Sequence, residues 1–485
     1  MKKLIFTYAI FFMFYQCSGQ CLPLDVTYNA VGYKQFDLGF FSDGRAYAIQ
    51  TDNKVVVAGP IGLGAGNYDW HISRLQTDGA VDQTFGTNGY VQINFGPTYD
   101  EPEDVVIQSD GKIVIVGSST LVNGVNFCVA RLNSDGTLDS AFNNTGKYNL
   151  YVNGACYAYK AKIQSDGKIL VGGSSTINNE RVATLFRLNS DGTIDNSFGI
   201  GGIVHMDAVA ADNRSEIYDI ELNATDIFAL GYSNLNFTGT KTVISKMNLN
   251  GVLALSFDTD GMLVSNQSTY RKIIVQPSGE FVTMGNGLVV KYLSSGSLDN
   301  TFADAGYLGI PYVNIFDAIK GADNNYYYTG TNGAMNDKII VGRLMPDFNK
   351  DTTFCDSSKI SLSLGSVHSS YNIMQQTDGK ILIGGNADSA TVARFVLNGA
   401  TGVETVTTEF TTLNLFPTIV QDNVIHFNRS IQSADMNLYT ISGQLILKTH
   451  LTNSKNYYIN MRLKGCYFVQ LTNKDFNKVF KIWIE

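Results

Sequence analysis

Between Asp104 and Leu132 short apolar runs alternate with polar turns: "DVVIQ", the turn Ser109-Asp110-Gly111, "KIVIVG" and then "FCVARL". Runs this short, rich in Val and Ile and bounded by Asp-Gly, predict strands joined by tight reversals, because glycine takes the positive φ that a compact turn needs. Asn133 to Gly136 forms the next turn, and "YNLYV" the fourth strand. "KIVIVG" is apolar on both faces instead of alternating, which predicts a strand covered on two sides. The unit reads as a four-stranded sheet pressed between neighbours.

The unit recurs. Its first half appears as "AIQTDNKVVVAG", "VIQSDGKIVIVG", "KIQSDGKILVGG", "IELNATDIFALG", "IVQPSGEFVTMG", "AIKGADNNYYYTG" and "MQQTDGKILIGG". The turns lie 58 and 56 residues apart from Asp52 to Asp110 to Asp166, and 55 apart from Asp323 to Asp378. Seven four-stranded units with both faces buried predict a seven-bladed β-propeller. Unit 7 lacks a fourth strand, while an orphan, "GYKQFDLGF" (Gly32 to Phe40), precedes unit 1 and resembles its fourth strand, "GYVQINFG". The N-terminal strand is therefore expected to complete the last blade and remove the open edges, a displacement that a linear solenoid would not need.

The second half of each unit carries charge. A basic residue stands at one position in all seven: Arg74, Arg131, Arg187, Lys246, Lys291, Arg343 and Arg394. Asp82, Asp139, Asp195, Asp299 and Asp351 follow eight residues later in five of them, each three before a Phe. Arg across a turn from Asp predicts a charge-assisted bond with the Phe packed inward. A ring of functional charges is the other reading, but an active site is seldom copied into every blade, so the pairs are read as a structural clasp. The signature "QxDGKIxxxG…RLNxDGxLDxxF" resembles the delta-60 repeat family of bacterial β-propellers over Gly32 to Glu404. Units 1 to 3 match best and unit 4 least, where Ala254 replaces the Asp. The resemblance implies the fold and an extracellular setting, with no chemistry to carry over.

The two ends differ from the repeats. Lys2 and Lys3 precede the apolar run "LIFTYAIFFMFY", and small residues follow at "CSGQ". This predicts a secretory signal over residues 1–20, too short to span a bilayer and removed in the mature chain. The expected organisation is then a propeller over 30–404, a Thr-rich linker over 405–412 and a small β-sandwich over 413–485. The last segment alternates as strands in "LNLFPTIVQDNVIHFN", "MNLYTISGQLILKTHL", "NYYINMRLKGCYFVQLTN" and "NKVFKIWIE". It resembles the type A C-terminal sorting domain of the type IX secretion system, on Pro417 after Leu415-Phe416, Gly443, Gly465, Tyr467 within "GCYFV", and the basic end at Lys478 and Lys481. The resemblance implies the type IX machinery as a partner and a secreted or cell-surface destination, reached through the periplasm.

Composition narrows the function. A net charge of −8 argues against a nucleic-acid partner, and no segment after the signal is apolar enough to span a membrane. The six cysteines show no disulfide framework and no CxxC pattern. The five histidines are scattered without HExxH, and there is no GxSxG elbow, so no catalytic residue and no metal ligand is assigned. "GLGAGN" reads as a flexible loop. Asp100, Glu101, Glu103 and Asp104 in "TYDEPED" read as a solvated acidic loop, with Ca²⁺ binding as the alternative; no other cofactor is expected.

In a propeller with this strand order the Asp-Gly turns gather on one face. Connections between blades, and between second and third strands, gather on the other, where the sequence varies. Tyr68, Trp70, Tyr99 and Asp100 are the binding candidates there, suited to a glycan or extracellular protein ligand. The expected function is a non-enzymatic binding or adhesion propeller. A polysaccharide hydrolase or lyase acting at the mouth of the central channel, and a structural surface component, are the alternatives.

Overall fold

The computed structural model describes residues 24–36, 43–64, 66–206, 212–235, 240–333, 338–355, 358–364, 368–397, 415–416, 419–420, 424–440, 444–459, 463–473 and 477–484. The secretory signal over 1–20 and the linker over 405–412 lie outside them. The chain divides into two compact units, Met1–Ala400 and Thr401–Glu485.

The first unit is all β. Its innermost strands are Ala46–Ile49, Asp100–Ile107, Cys156–Ile163, Asp212–Leu222, Lys272–Val275, Val313–Lys320 and His368–Gln375. Each opens an antiparallel four-stranded meander, so there are seven blades; a single parallel contact, Arg181 to Arg214, joins the third sheet to the fourth. Each innermost strand touches that of the next blade, and the seventh touches the first, which closes the ring.

The last sheet is completed from the other end of the chain. Tyr33–Phe36 pairs antiparallel with Ala390–Phe395, in the register Tyr33 to Ala393 through Phe36 to Ala390. The propeller thus has no open sheet edge at its seam.

The apolar core lies between blades. One cluster joins Val56, Trp70 and Ile72 of blade 1 to Ile113, Ile115 and Cys128 of blade 2. The seam is packed in the same way, by Tyr28, Tyr47 and Val57 against Leu382 and Val392. This is the physical reason the second strands are apolar on both faces. Cys128, Cys156 and Cys355 are buried in these layers.

The second unit has strands Val424–Thr440, Leu445–Tyr458, Gly465–Thr472 and Asn477–Ile484, with the short Leu415–Phe416 and Ile419–Val420 at its margins. Met436, Leu438, Val469, Leu471 and Ile482 form part of its own core.

Candidate functional site

Two sets of side chains recur around the ring: one near the Asp-Gly turns and one in the central channel.

At the turns, the Arg74 Nε–H donates to Asp82 Oδ2 at 2.8 Å, and the Lys54 ammonium reaches the same oxygen at 3.0 Å. Thr84 bonds the other carboxylate oxygen at 2.7 Å. The guanidinium lies over Phe85, 4.6 Å from the ring centre, and donates to the Ser134 carbonyl of the next blade. Blades 2 and 3 repeat this with Arg131–Asp139 at 2.7 Å and Arg187–Asp195 at 2.8 Å, and blade 6 keeps the ion pair as Arg343–Asp351 at 2.8 Å. Blade 5 substitutes Lys291–Asp299 at 2.8 Å. In blade 4, which has Ala254 in place of the acid, Lys246 turns to Asp226 at 3.5 Å.

The cluster ties blades together. Gly136 of blade 2 sits against Phe85 of blade 1, with φ near +93° and room for a Cβ only 3.0 Å from the ring. Gly192 packs on Phe142 in the same way. The repeated Asn-x-Asp-Gly turn is thus fixed both by its backbone and by the neighbouring Phe.

Burial alone would raise the Asp82 and Asp195 carboxyls, but hydrogen bonds from Thr84 and Lys54, or from Ser197 and Lys168, and the arginine charges hold both well below the usual range. Bonds from Lys291 and Thr301 bring Asp299 down to about 2.

Blade 7 uses residues the sequence reading did not single out. Arg394 bonds Asp25 at 2.9 Å and Thr27 at 3.0 Å, and lies 4.7 Å over the Tyr28 ring. The N-terminal segment therefore supplies both the fourth strand and the acid–aromatic half of the clasp. The signal was present: "LDVTY" at Leu24 to Tyr28 keeps the Asp and Thr of "VDQTF" at Val81 to Phe85 and exchanges its Phe for Tyr.

In the channel, strand pairing slips by one residue at the same place in five blades: between Pro102 and Asp104, Ala158 and Lys160, Ile217 and Asp219, Ile315 and Asp317, and Ser370 and Asn372. A bulge of this kind re-aims the skipped side chain. The skipped residues are Glu103, Tyr159, Tyr218, Phe316 and Tyr371. With Arg45 and Arg271, which stand just ahead of their inner strands, they line an open cavity of about 140 Å³.

Beside them a ring of polar groups caps the neighbouring inner strands. Asp104 accepts the Ala161 N–H at 2.9 Å, Asp219 that of Ile273 at 3.0 Å, Asp317 that of Ile373 at 3.0 Å, and Asn372 that of Tyr47 at 3.2 Å. Lys160 pairs with Asp104 at 3.2 Å, and Lys272 lies between Asp219 at 3.4 Å and Asp317 at 3.3 Å. Burial disfavours the Lys272 charge, yet its two carboxylates outweigh this and raise its pKa.

The cavity wall is aromatic. Tyr159 and Tyr218 stack with centres 5.2 Å apart, and Tyr218 and Tyr232 at 5.7 Å. The Tyr218 hydroxyl donates to Glu216 at 2.9 Å, which also receives Arg214 at 3.0 Å and Arg181. Arg45 bonds Glu101 at 2.7 Å and lies 3.4 Å from Glu103. Burial, helped by Glu101 and Asp104 and opposed by Arg45, pushes the Glu103 carboxyl up to about 7.

The four expected contact residues divide. Trp70 is fully buried against Phe95 at 4.7 Å, and Asp100 is fully buried, bonding the Phe95 N–H at 2.7 Å and Ser119. Neither faces a ligand, because both expected loops are strands here: Val55–Gly64 and Asn67–Leu75 form one long hairpin that absorbs most of "GLGAGN", and Asp100–Ile107 is the inner strand of blade 2. The "TYDEPED" carboxylates are accordingly not a solvated acidic loop. Tyr99 is exposed and Tyr68 half-buried, edge to face at 5.0 Å. The Tyr99 hydroxyl donates to Glu101 at 2.9 Å and so connects to Arg45 and the channel. Among the described residues no group of three or more His, Cys, Asp and Glu side chains could hold a metal ion, and no helix is long and apolar enough to cross a membrane.

In the second unit Pro417 and Gly443 lie outside the described residues. Gly465 opens a strand at φ near +112°, and the Tyr467 hydroxyl donates to the Lys464 carbonyl at 3.1 Å. Lys478 pairs in register with Leu471, and Lys481 with Phe468.

No curated protein matches the chain. Among solved structures, a catalytically inactive virginiamycin B lyase from Staphylococcus aureus with quinupristin is 12% identical over 75% of this chain and 99% of its own, with a TM-score of 0.41. Sqt1 from Chaetomium thermophilum is 13% identical, covering 76% and 99%, at 0.41. A protein of unknown function from Dyadobacter fermentans is 11% identical, covering 76% and 100%, at 0.41. The profile of the domain of unknown function (DUF5122) beta-propeller matches residues 50–85, 108–142 and 164–198, and that of the secretion system C-terminal sorting domain matches residues 414–485. The chain carries DUF5122 beta-propeller repeats at residues 50–85, 108–142 and 164–198 and a C-terminal secretion sorting domain at residues 414–485, which together support an exported propeller protein.

Proposed function

We propose that this exported propeller acts by binding, capturing a glycan at the mouth of its central channel once the type IX machinery has delivered it to the cell surface or the medium. One observation supports this above the others. An equivalent position, on or just ahead of each inner strand, carries four kinds of side chain around the ring: arginine at Arg45 and Arg271, glutamate at Glu103, tyrosine at Tyr159, Tyr218 and Tyr371, and phenylalanine at Phe316. A scaffold would repeat its residue, whereas a ligand of low symmetry needs unlike groups around it. Stacked tyrosines offer flat faces to sugar C–H groups, and the charged side chains around them address hydroxyls and acids. Asp219 and Asp317 are engaged with Lys272 and with backbone N–H groups, which favours binding over catalysis by a carboxylate pair.

Glu103 supports the second reading, a polysaccharide hydrolase or lyase, because a carboxyl that titrates near 7 suits proton transfer. Presenting the secreted protein to a glycan array, and in parallel to a panel of chromogenic glycosides, separates the two. The binding reading expects retention on the array that Tyr218→Ala abolishes, and no product. Turnover that survives purification and disappears in Glu103→Gln would overturn it.

A further inference from the structure

Four cations line the channel cavity, and three are answered by carboxylates. Arg45 bonds Glu101 and approaches Glu103; Lys160 pairs with Asp104; Lys272 lies between Asp219 and Asp317. Arg271 differs. Among the described residues no carboxylate comes within ion-pair distance of it, and its guanidinium instead lies over three rings, 4.9 Å from Tyr218, 5.2 Å from Tyr270 and 5.5 Å from Phe316.

Ring contacts engage the flat faces of a guanidinium and leave its N–H edge for other partners. The rings also hold the group half-buried in one place, which lowers the entropy lost when that edge is used. A planar fork of donors matches a carboxylate, which it grips through two parallel bonds. Beside this fork Tyr159 and Tyr371, which line the same cavity, provide the flat surface that a pyranose ring covers.

Building on the binding reading, we infer that the channel mouth takes an acidic sugar, with Arg271 gripping the carboxylate of a uronic acid while its ring lies against the aromatic wall of the cavity. The carboxylate is the fourth partner that completes the charge pairing of the cavity. Discrimination between an acidic sugar and its uncharged counterpart comes from Arg271, because the other three cations are already satisfied.

Calorimetric titration of the secreted protein with trimers of galacturonate, glucuronate and mannuronate, each beside its methyl ester, tests this. At least one acid is expected to bind about tenfold or more tightly than its ester, weakening as salt rises. Arg271→Met is expected to bring the acid down to the level of the ester, and Arg271→Lys to retain part of the difference. The comparison of acid with ester is made on the unaltered protein and does not depend on a variant folding. Equal affinity for acid and ester, or an acid preference that survives Arg271→Met, overturns the role of Arg271 while leaving glycan binding in place. Failure of every acid and ester to bind, together with a blank glycan array, overturns both.

Discussion

The turns and the channel use one seven-fold frame in opposite ways. At the turns a cation recurs in every blade and an acid eight residues on in five, and Arg74, Arg131, Arg187, Arg343 and Arg394 all lie over an aromatic ring. In the channel the backbone bulge recurs while its side chain varies, from Glu103 through Tyr159, Tyr218 and Tyr371 to Phe316. A feature that every blade needs is written into every blade, and it holds the ring together. A feature that varies between blades is not needed by the ring itself, and on the proposed reading it serves a ligand. Repetition of chemistry therefore marks the scaffold here, and repetition of geometry alone marks the site.

The largest expected effect comes from breaking the clasp where it joins the ends of the chain. A chain beginning after Phe36 loses the fourth strand of blade 7, the Asp25 partner of Arg394 and the buried Tyr28. Stranding one member of a buried ion pair costs about 3–5 kcal/mol, and losing a buried aromatic adds roughly 2 kcal/mol. Calorimetry should show the melting temperature of the propeller falling by about 6–9 °C. A melt unchanged within about 2 °C would show that the seam does not hold the ring.

Two glycines sharpen the comparison within one blade pair. Gly111 and Gly192 both sit in Asp-Gly turns, at φ near +83° and +85°. A Cβ on Gly111 meets nothing nearer than Ser134 at 3.8 Å, whereas one on Gly192 would lie 2.6 Å from the Phe142 ring. Gly111→Ala should cost about 1 kcal/mol, from the backbone alone, and Gly192→Ala roughly 2–4 kcal/mol, from backbone and overpacking together. Equal losses in chemical denaturation would mean that the Phe does not lock the neighbouring turn.

Acidity separates the regions with opposite signs. The clasp carboxyls Asp25, Asp82, Asp139, Asp195, Asp299 and Asp351 are all held below their ordinary range. Their contribution is complete above about pH 4 and is lost as pH falls below it. Glu103 is raised to about 7, so the folded state binds its proton more tightly than the unfolded chain. Its effect runs the other way, with stability declining as pH rises from about 4.5 towards 7. Melting curves across this range should show Asp139→Asn flattening the acid limb and Glu103→Gln flattening the neutral one. A Glu103→Gln profile parallel to that of the unaltered protein would place the Glu103 pKa at its ordinary value.

The fold was legible because the chemistry of the clasp is copied. "RLNSDGTLDSAF" and "RLNSDGTIDNSF" announce the same bond twice, and apolar residues on both faces of "KIVIVG" announce neighbours on both sides. The seam was half legible: "GYKQFDLGF" gave the strand, but "LDVTY" went unnoticed because it stands far in sequence from the Arg394 it serves. The channel was not legible. Tyr218 and Arg271 come from different blades and meet only after a bulge has turned one and packing of the next blade has brought the other. Trp70 and Asp100 misled for a related reason, since extending a hairpin and an inner strand took both into the packed interior, where Trp70 packs on Phe95 and Asp100 accepts the Phe95 and Gly96 N–H groups.

The most direct test melts two single-residue variants side by side. Arg131→Met and Arg271→Met each remove a guanidinium that lies over aromatic rings, one from the clasp and one from the channel. The account predicts that Arg131→Met lowers the melting temperature by several degrees, from the stranded Asp139, while Arg271→Met stays within about 1 °C of the unaltered protein. Equal falls in the two variants, or the larger fall in Arg271→Met, would contradict the division between scaffold and site.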